Sequence, residues 1–192
     1  MNGLTLKKNI EYIFMKNTNY EKHTYLGIFS IKEFNNLDLR YTNNCCLIIF
    51  IDGIKKNLGH WLVICKIKKN LYWIDSFGLS PLFYKNNINN KYLKFSYYLS
   101  KRLQSRLTTI CGGYCIFFIH MIFKSNYNIK QFKTILINNF HFKNFEKNDQ
   151  IIAKYILNNT LISKNKCKKY FCSTKFIINY HKCTEIVCAD KD

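Results

Sequence analysis

The stretch GHWLVICKIKKNLYWIDSFG, residues 59–78, decides the fold. Two apolar runs, residues 60–68 and 71–75, meet at the polar pair Lys69-Asn70, the pattern of a β-hairpin. Working back toward the N-terminus, residues 45–52 form a continuous apolar run between Asn44 and Gly53, as expected of a buried central strand. Tyr25-Leu26-Gly27-Ile28-Phe29 reads as a short extended segment. Ser30-Ile31-Lys32-Glu33 has the form of a capping box, so a short helix is expected to start at Ser30. Working forward, residues 92–107 read as a helix of weak periodicity. Residues 114–123, behind Cys111-Gly112-Gly113, are apolar for long enough to make a buried helix. Asn128 and Asp149 are candidate N-caps for two more helices, residues 129–140 and 150–158. Helices, then strands, then helices predict an α+β domain, a small mixed sheet packed against the helix that Cys111 starts.

Composition narrows the class. The chain has 192 residues and is 48% hydrophobic, enough for one domain with a real core. One proline and seven glycines argue against linkers, disorder and collagen-like structure. The first 16 residues hold no continuous apolar core of a secretory signal. The longest apolar runs, residues 45–51 and 114–119, fall far short of the ~20 residues that span a bilayer. The expectation is an intracellular chain, where disulfides are rare, so its nine cysteines are read as mostly reduced. An odd count leaves at least one thiol unpaired, and Cys111 is the candidate.

A formal charge of +19 predicts attraction to a polyanion, with DNA or RNA first in line. Lys and Asn are over-used along the whole chain, however, so compositional drift is a competing reading. Residues 1–160 are read as the domain and residues 161–192 as a basic, Cys-rich extension. In that extension Cys167, Cys172, Cys183 and Cys188, near His181, could hold a tetrahedral zinc. Both pairs have a four-residue gap where zinc sites usually have a two-residue gap in at least one. No metal is therefore assigned, and the cysteines are read as disordered or variably paired.

One constellation carries chemistry. Thiol hydrolysis needs a thiolate, a base beside it, a group that orients the base, and donors for an oxyanion. Cys111 stands at the expected N-terminus of an apolar helix, where the dipole and free N–H groups stabilise a thiolate. Gly112 and Gly113 allow close backbone approach, so the N–H groups of Cys111 and Gly112 can meet a substrate carbonyl. Alone, the Cys-Gly-Gly string reads more readily as a buried structural cysteine before a Gly-rich turn. His60 opens one hairpin strand and Asp75 closes the other, so the carboxylate can reach Nδ1–H and fix the tautomer. Gln104, seven residues before Cys111, is a candidate second oxyanion donor; in isolation it reads as an exposed helix glutamine. Trp61 and Gly112 are assigned to substrate contact. His120 lies two and a half helical turns beyond Cys111 and is read as a core or supporting histidine.

Taken together, Gly59-His60-Trp61, Asp75-Ser76-Phe77-Gly78, Gln104 and Cys111-Gly112-Gly113-Tyr114-Cys115 resemble the adenovirus endopeptidase (adenain) family, including proteases of Maverick/Polinton elements and virophage-like viruses. Leu26-Gly27-Ile28-Phe29-Ser30 with Phe34 is similar to that family's N-terminal region. The likeness covers roughly residues 25–125. It implies a cysteine endopeptidase with papain-like chemistry on the adenain α+β fold, with His60, Asp75, Gln104 and Cys111 in the catalytic positions. It also implies capsid or virion precursors as substrates, the host nucleus or virion as location, and DNA as an activating partner. A monomer is expected. The related ubiquitin-like-protein (SUMO) proteases share the order of motifs. They typically carry Asp before the nucleophile and a Gln-to-Cys step of six, whereas this chain has Ile110 and a step of seven. A DNA- or zinc-binding module without catalysis is the third reading. The adenovirus enzyme is activated through a Cys between its acidic and nucleophilic residues; here no Cys lies between Cys65 and Cys111.

Overall fold

The computed structural model describes residues 3–16, 24–52, 59–88 and 95–161. Their order is α1 (Gly3–Lys16), β1 (Thr24–Ser30), α2 (Ile31–Asn35), β2 (Cys45–Ile51), β3 (His60–Ile67) and β4 (Asn70–Ile74). A 3-10 turn (Pro81–Tyr84), β5 (Phe95–Tyr98), α3 (Cys111–Lys124), α4 (Ile129–Asn139) and α5 (Phe145–Asn159) follow. The five strands make one mixed sheet in chain order. The two antiparallel joints, β2–β3 and β3–β4, lie between parallel ones, β1–β2 and β4–β5.

The strand sequences alternate between two buried faces. Cys46, Ile48, Val63, Cys65 and Ile74 meet the helical layer, including Leu6 and Ile10 of α1, Tyr114 and Ile116 of α3, and Ile152 and Ile156 of α5. Leu47, Ile49, Leu62, Ile64, Leu71 and Trp73 pack on the other side with Phe34, Leu39 and Tyr84. Burial on both faces is why β2 and β3 read as nearly continuous apolar runs. At the head of α2 the capping box forms as its sequence implies. Ser30 Oγ accepts from Glu33 N at 3.2 Å, and Glu33 Oε2 accepts from Ser30 N at 2.7 Å.

Two local readings of the sequence need correction, and one element had gone unread. Within residues 92–107, Phe95–Tyr98 is a strand, not a helix, and residues 99–110 form an irregular loop. The β4 edge supplies the reason: Tyr72 pairs with Tyr97 and Trp73 with Tyr98, a partnership that weak local periodicity cannot compete with. Asp149 does not cap α5. Asn144 does so by accepting from Lys147 N at 3.0 Å, and Asp149 sits inside the helix, fully buried. The N-terminal segment, considered in the sequence only for targeting, is helix α1. Leu6, Ile10 and Ile13, spaced four and three apart, form its buried stripe. Each contributes roughly 1.5–3 kcal/mol at most.

Asn9 of α1 links the two ends of the described chain. Its Oδ1 accepts from Leu161 N at 2.9 Å, just beyond α5. The extension from residue 162 onward, with Cys167, Cys172, Cys183, Cys188 and His181, lies outside the described residues. Among the described residues no helix is long and apolar enough to cross a membrane.

Candidate active site

Strand register brings the first two candidate residues together. Val63 pairs with Ile74, so one further step sets Asp75 opposite Leu62. His60 and Asp75 are then diagonal neighbours across the hairpin, within side-chain reach. His60 Nε2 lies 2.8 Å from Asp75 Oδ1. The sequence reading expected Nδ1 in that role. The diagonal offset makes the imidazole reach Asp75 with its far nitrogen. Two further donors hold the carboxylate, which is 0% exposed: Phe77 N donates to Oδ1 at 2.7 Å and the Tyr84 hydroxyl to Oδ2 at 2.8 Å. Burial, then the charge of Asp75, pushes the Tyr84 hydroxyl pKa upward, so it stays a donor. The Phe77 ring lies 4.8 Å from the imidazole, centroid to centroid.

Cys111 begins α3 and is 7% exposed. Its thiol is hydrogen-bonded to His60 and also meets the backbone N–H of Trp61. Burial pushes the thiol pKa up, but the His60 hydrogen bond and charge, with the Trp61 N–H, outweigh it and hold Cys111 below its ordinary value. Burial likewise disfavours the imidazolium. The hydrogen bonds to Asp75 and Cys111 and their charges reverse this and push His60 up to about 10. Both shifts favour the thiolate–imidazolium form of the pair over the neutral thiol and imidazole. Cys115, one turn along, is the contrast: burial and the charge of Cys111 raise it well above the usual thiol value. His120 takes no part. It is hydrogen-bonded to Tyr155, and burial with the charge of Lys124 pushes it down to about 4.

Gln104 arrives from the loop at residues 99–110. Gly78 makes that approach possible. Its φ is +69°, and a Cβ there would sit 2.6 Å from both Arg102 N and the Lys101 carbonyl carbon. Backbone thus lies on backbone, and Ser76 O accepts from Leu103 N at 2.8 Å and Gln104 N at 3.0 Å. Ser76 Oγ donates to Gln104 Oε1 at 2.7 Å, which orients the amide, and Gln104 Nε2 donates to Thr108 O at 3.0 Å. The glutamine is 0% exposed, not the surface residue its neighbours in sequence imply. Its amide has a second N–H beyond the one that Thr108 O receives. At the start of α3, Gly113 N and Tyr114 N both donate to Ile110 O. The N–H groups of Cys111 and Gly112 stand at the first helical positions, where no carbonyl one turn back exists to receive them.

Trp61 serves the site through its backbone. Its indole is half-buried, 4.5 Å from the Phe50 ring and against Gly3 of α1. Gly59 fits the same packing, because a Cβ there would lie 1.8 Å from the Phe50 ring.

Four contributing residues escaped the sequence reading or were given other roles: Ser76, Tyr84, Asn148 and Asp149. The chain's one proline, Pro81, starts the turn that carries Tyr84, the sole local hint of it. Asn148-Asp149 inside a helix is a pair of poor helix formers, a sign that the side chains work elsewhere. Among the described residues no cluster of three or more His, Cys, Asp or Glu side chains is arranged to hold a metal ion. No protein-family model matches the chain, and no curated protein matches it.

Proposed function

We propose that this protein is a cysteine endopeptidase of the adenain type. The observation that carries the reading is His60 held between Asp75 and a Cys111 thiol whose pKa is lowered, at the start of a helix. In the proposed reaction the Cys111 thiolate attacks a peptide carbonyl, and His60 gives its proton to the departing amine, leaving a thioester. His60 then takes a proton from water, which attacks the thioester and releases the acid. Asp75 orients the imidazole. Gln104 and the Cys111 and Gly112 N–H groups carry the oxyanion. The resemblance of the motifs supports the adenain variant of the fold and polypeptide precursors of capsids as substrates. The Gln-to-Cys step of seven favours this over ubiquitin-like-protein proteases.

The test is incubation of wild type and Cys111→Ala with capsid precursors encoded beside the gene. Wild type should cleave and Cys111→Ala should not; equal cleavage by both, or by neither, rejects the reading.

DNA belongs to the proposal as a sequence-independent partner, on the strength of the +19 charge. Each phosphate contacted should contribute about −0.9 to the slope of log K against log[salt]. Fluorescence anisotropy with two unrelated duplexes should give equal, salt-sensitive binding, micromolar or tighter at ~0.15 M salt. No binding below ~100 µM there removes DNA from the proposal.

A further inference from the structure

We propose that Asp149 and Thr108 are positioning residues that hold Gln104 in place for oxyanion stabilisation. The inference rests on the endopeptidase reading and deepens it. Asp149 comes from α5, a helix that supplies none of the reacting groups. Its carboxylate is fully buried, and every donor it meets belongs to the loop before Cys111 or to α3. Thr108 Oγ1 donates to Oδ2 at 2.7 Å, Ser105 N lies 3.2 Å from Oδ2, and the Tyr114 hydroxyl lies 2.9 Å from Oδ1. Beside it, Asn148 Nδ2 donates to Leu103 O at 3.0 Å.

These tethers bracket Gln104. Leu103 precedes it, Ser105 follows it, and Thr108 supplies the carbonyl that receives its Nε2–H. From the opposite side Ser76 holds its Oε1 and its backbone N–H. The glutamine is thus gripped between the turn that follows Asp75 and a carboxylate on α5. The route from Asp149 to the Gln104 side-chain amide is a single residue, Thr108, bonded to one by its hydroxyl and to the other by its carbonyl. A loop of residues 99–110 without regular structure has no ladder of its own to fix an amide within the fraction of an ångström that oxyanion stabilisation needs. A buried carboxylate is a costly substitute for an apolar residue at that position. It earns its place by gathering three donors from the loop and helix at once.

The test compares two reactions of Cys111. Acylation by p-nitrophenyl acetate passes through an oxyanion and needs Gln104. Alkylation by iodoacetamide joins sulfur to carbon and expels iodide without any oxyanion, so it reports only the thiolate. Both rates are taken relative to the Cys111→Ala background. Thr108→Val keeps the side-chain shape and the carbonyl but removes the hydroxyl. It should slow acylation roughly tenfold and leave alkylation within about twofold. Thr108→Ser restores the hydroxyl and should restore acylation. Asp149→Asn should act in the same direction as Thr108→Val, and if it fails to fold the threonine pair decides. In a Gln104→Ala background, Thr108→Val should cost less than about twofold more, because the two act as one unit.

The proposal is overturned if Thr108→Val acylates like wild type, if alkylation falls in parallel with acylation, or if the losses add in the double variant. A wild type that neither acylates nor alkylates above the Cys111→Ala background rejects the endopeptidase reading itself, and this inference with it.

Discussion

The two walls of the proposed Cys111 site are built by different means. On one side the β3–β4 hairpin delivers His60 and Asp75 by register, one from each strand at the ladder's open end. On the other, Gln104 rides a loop without regular structure and is fixed by side-chain tethers from Ser76, Thr108 and, through Thr108, Asp149. Position on a strand is set by a period of two and by neighbours close in sequence. Position on such a loop is set by partners far away, here 28 residues back for Ser76 and 41 residues on between Thr108 and Asp149. The first wall is robust to surface change, whereas the second depends on a few buried polar atoms.

Perturbing each wall should give a distinct signature. The largest effect expected is from Gln104→Ala, which should lower kcat by roughly 10²–10³ with little change in KM, because its bond tightens only at the transition state. Steady-state kinetics on a cleaved precursor would read it; an unchanged kcat would return Gln104 to a purely structural role.

Gly78→Ala strikes the seam between the walls. A Cβ at φ +69°, 2.6 Å from loop backbone, must displace residues 101–102 at a cost of about 1–3 kcal/mol. Activity should fall with stability, while iodoacetamide labelling of Cys111 near pH 6 stays selective. Loss of that selectivity would mean that the hairpin wall had moved as well.

The hairpin wall has its own pH signature. Turnover should rise on an acid limb below the ordinary thiol range as Cys111 ionises, and fall as pH passes about 10, where His60 loses its proton. The raised His60 pKa also contributes stability that is fully present below about 6.5 and lost as pH rises through about 10. A thiol in this site titrating near 9 would remove the ion pair.

The smallest change concerns Asp149. Burial pushes it up to about 7, against the lowering effect of Thr108, Tyr114 and Ser105. The stability linked to its raised pKa is full below 3.8 and is lost as pH rises through about 7. Asp149→Asn should flatten that decline, measurable by urea denaturation at pH 5 and pH 8. A variant with the wild-type difference between those two pH values would contradict the buried, charge-disfavouring setting.

The same contrast explains what could be read from the chain itself. The hairpin, the buried strand at residues 45–51, the capping box at Ser30 and the helix after Cys111 all follow from local pattern, and the pairing of His60 with Asp75 follows from the hairpin. Tyr84 could not be inferred, because its tie to Asp75 depends on how a 3-10 turn folds back under β4. Asp149 misled in a specific way: Asp before an apolar stretch is the usual sign of a helix start, yet Asn144 had already capped α5. Phe95–Tyr98 was hidden because its parallel partner, β4, is chosen by the sheet and not by the segment. The choice of Nε2 over Nδ1 lies below the resolution of any spacing argument.

The link between α1 and the end of α5 has a consequence for synthesis. A ribosome makes α1 before α3 and α5, yet the stripe of Leu6, Ile10 and Ile13 packs in a core completed by those helices. Roughly a hundred residues separate α1 from α3, which at about 5–20 residues per second is a wait of roughly 5–20 s. Asn9 waits longer still, for the backbone N–H of Leu161. His60 and Asp75 are likewise made well before the thiol they are proposed to activate. On the proposed endopeptidase reading, the site would be complete only after nearly the whole described chain has been made, and a nascent chain could not cut what is still being made around it.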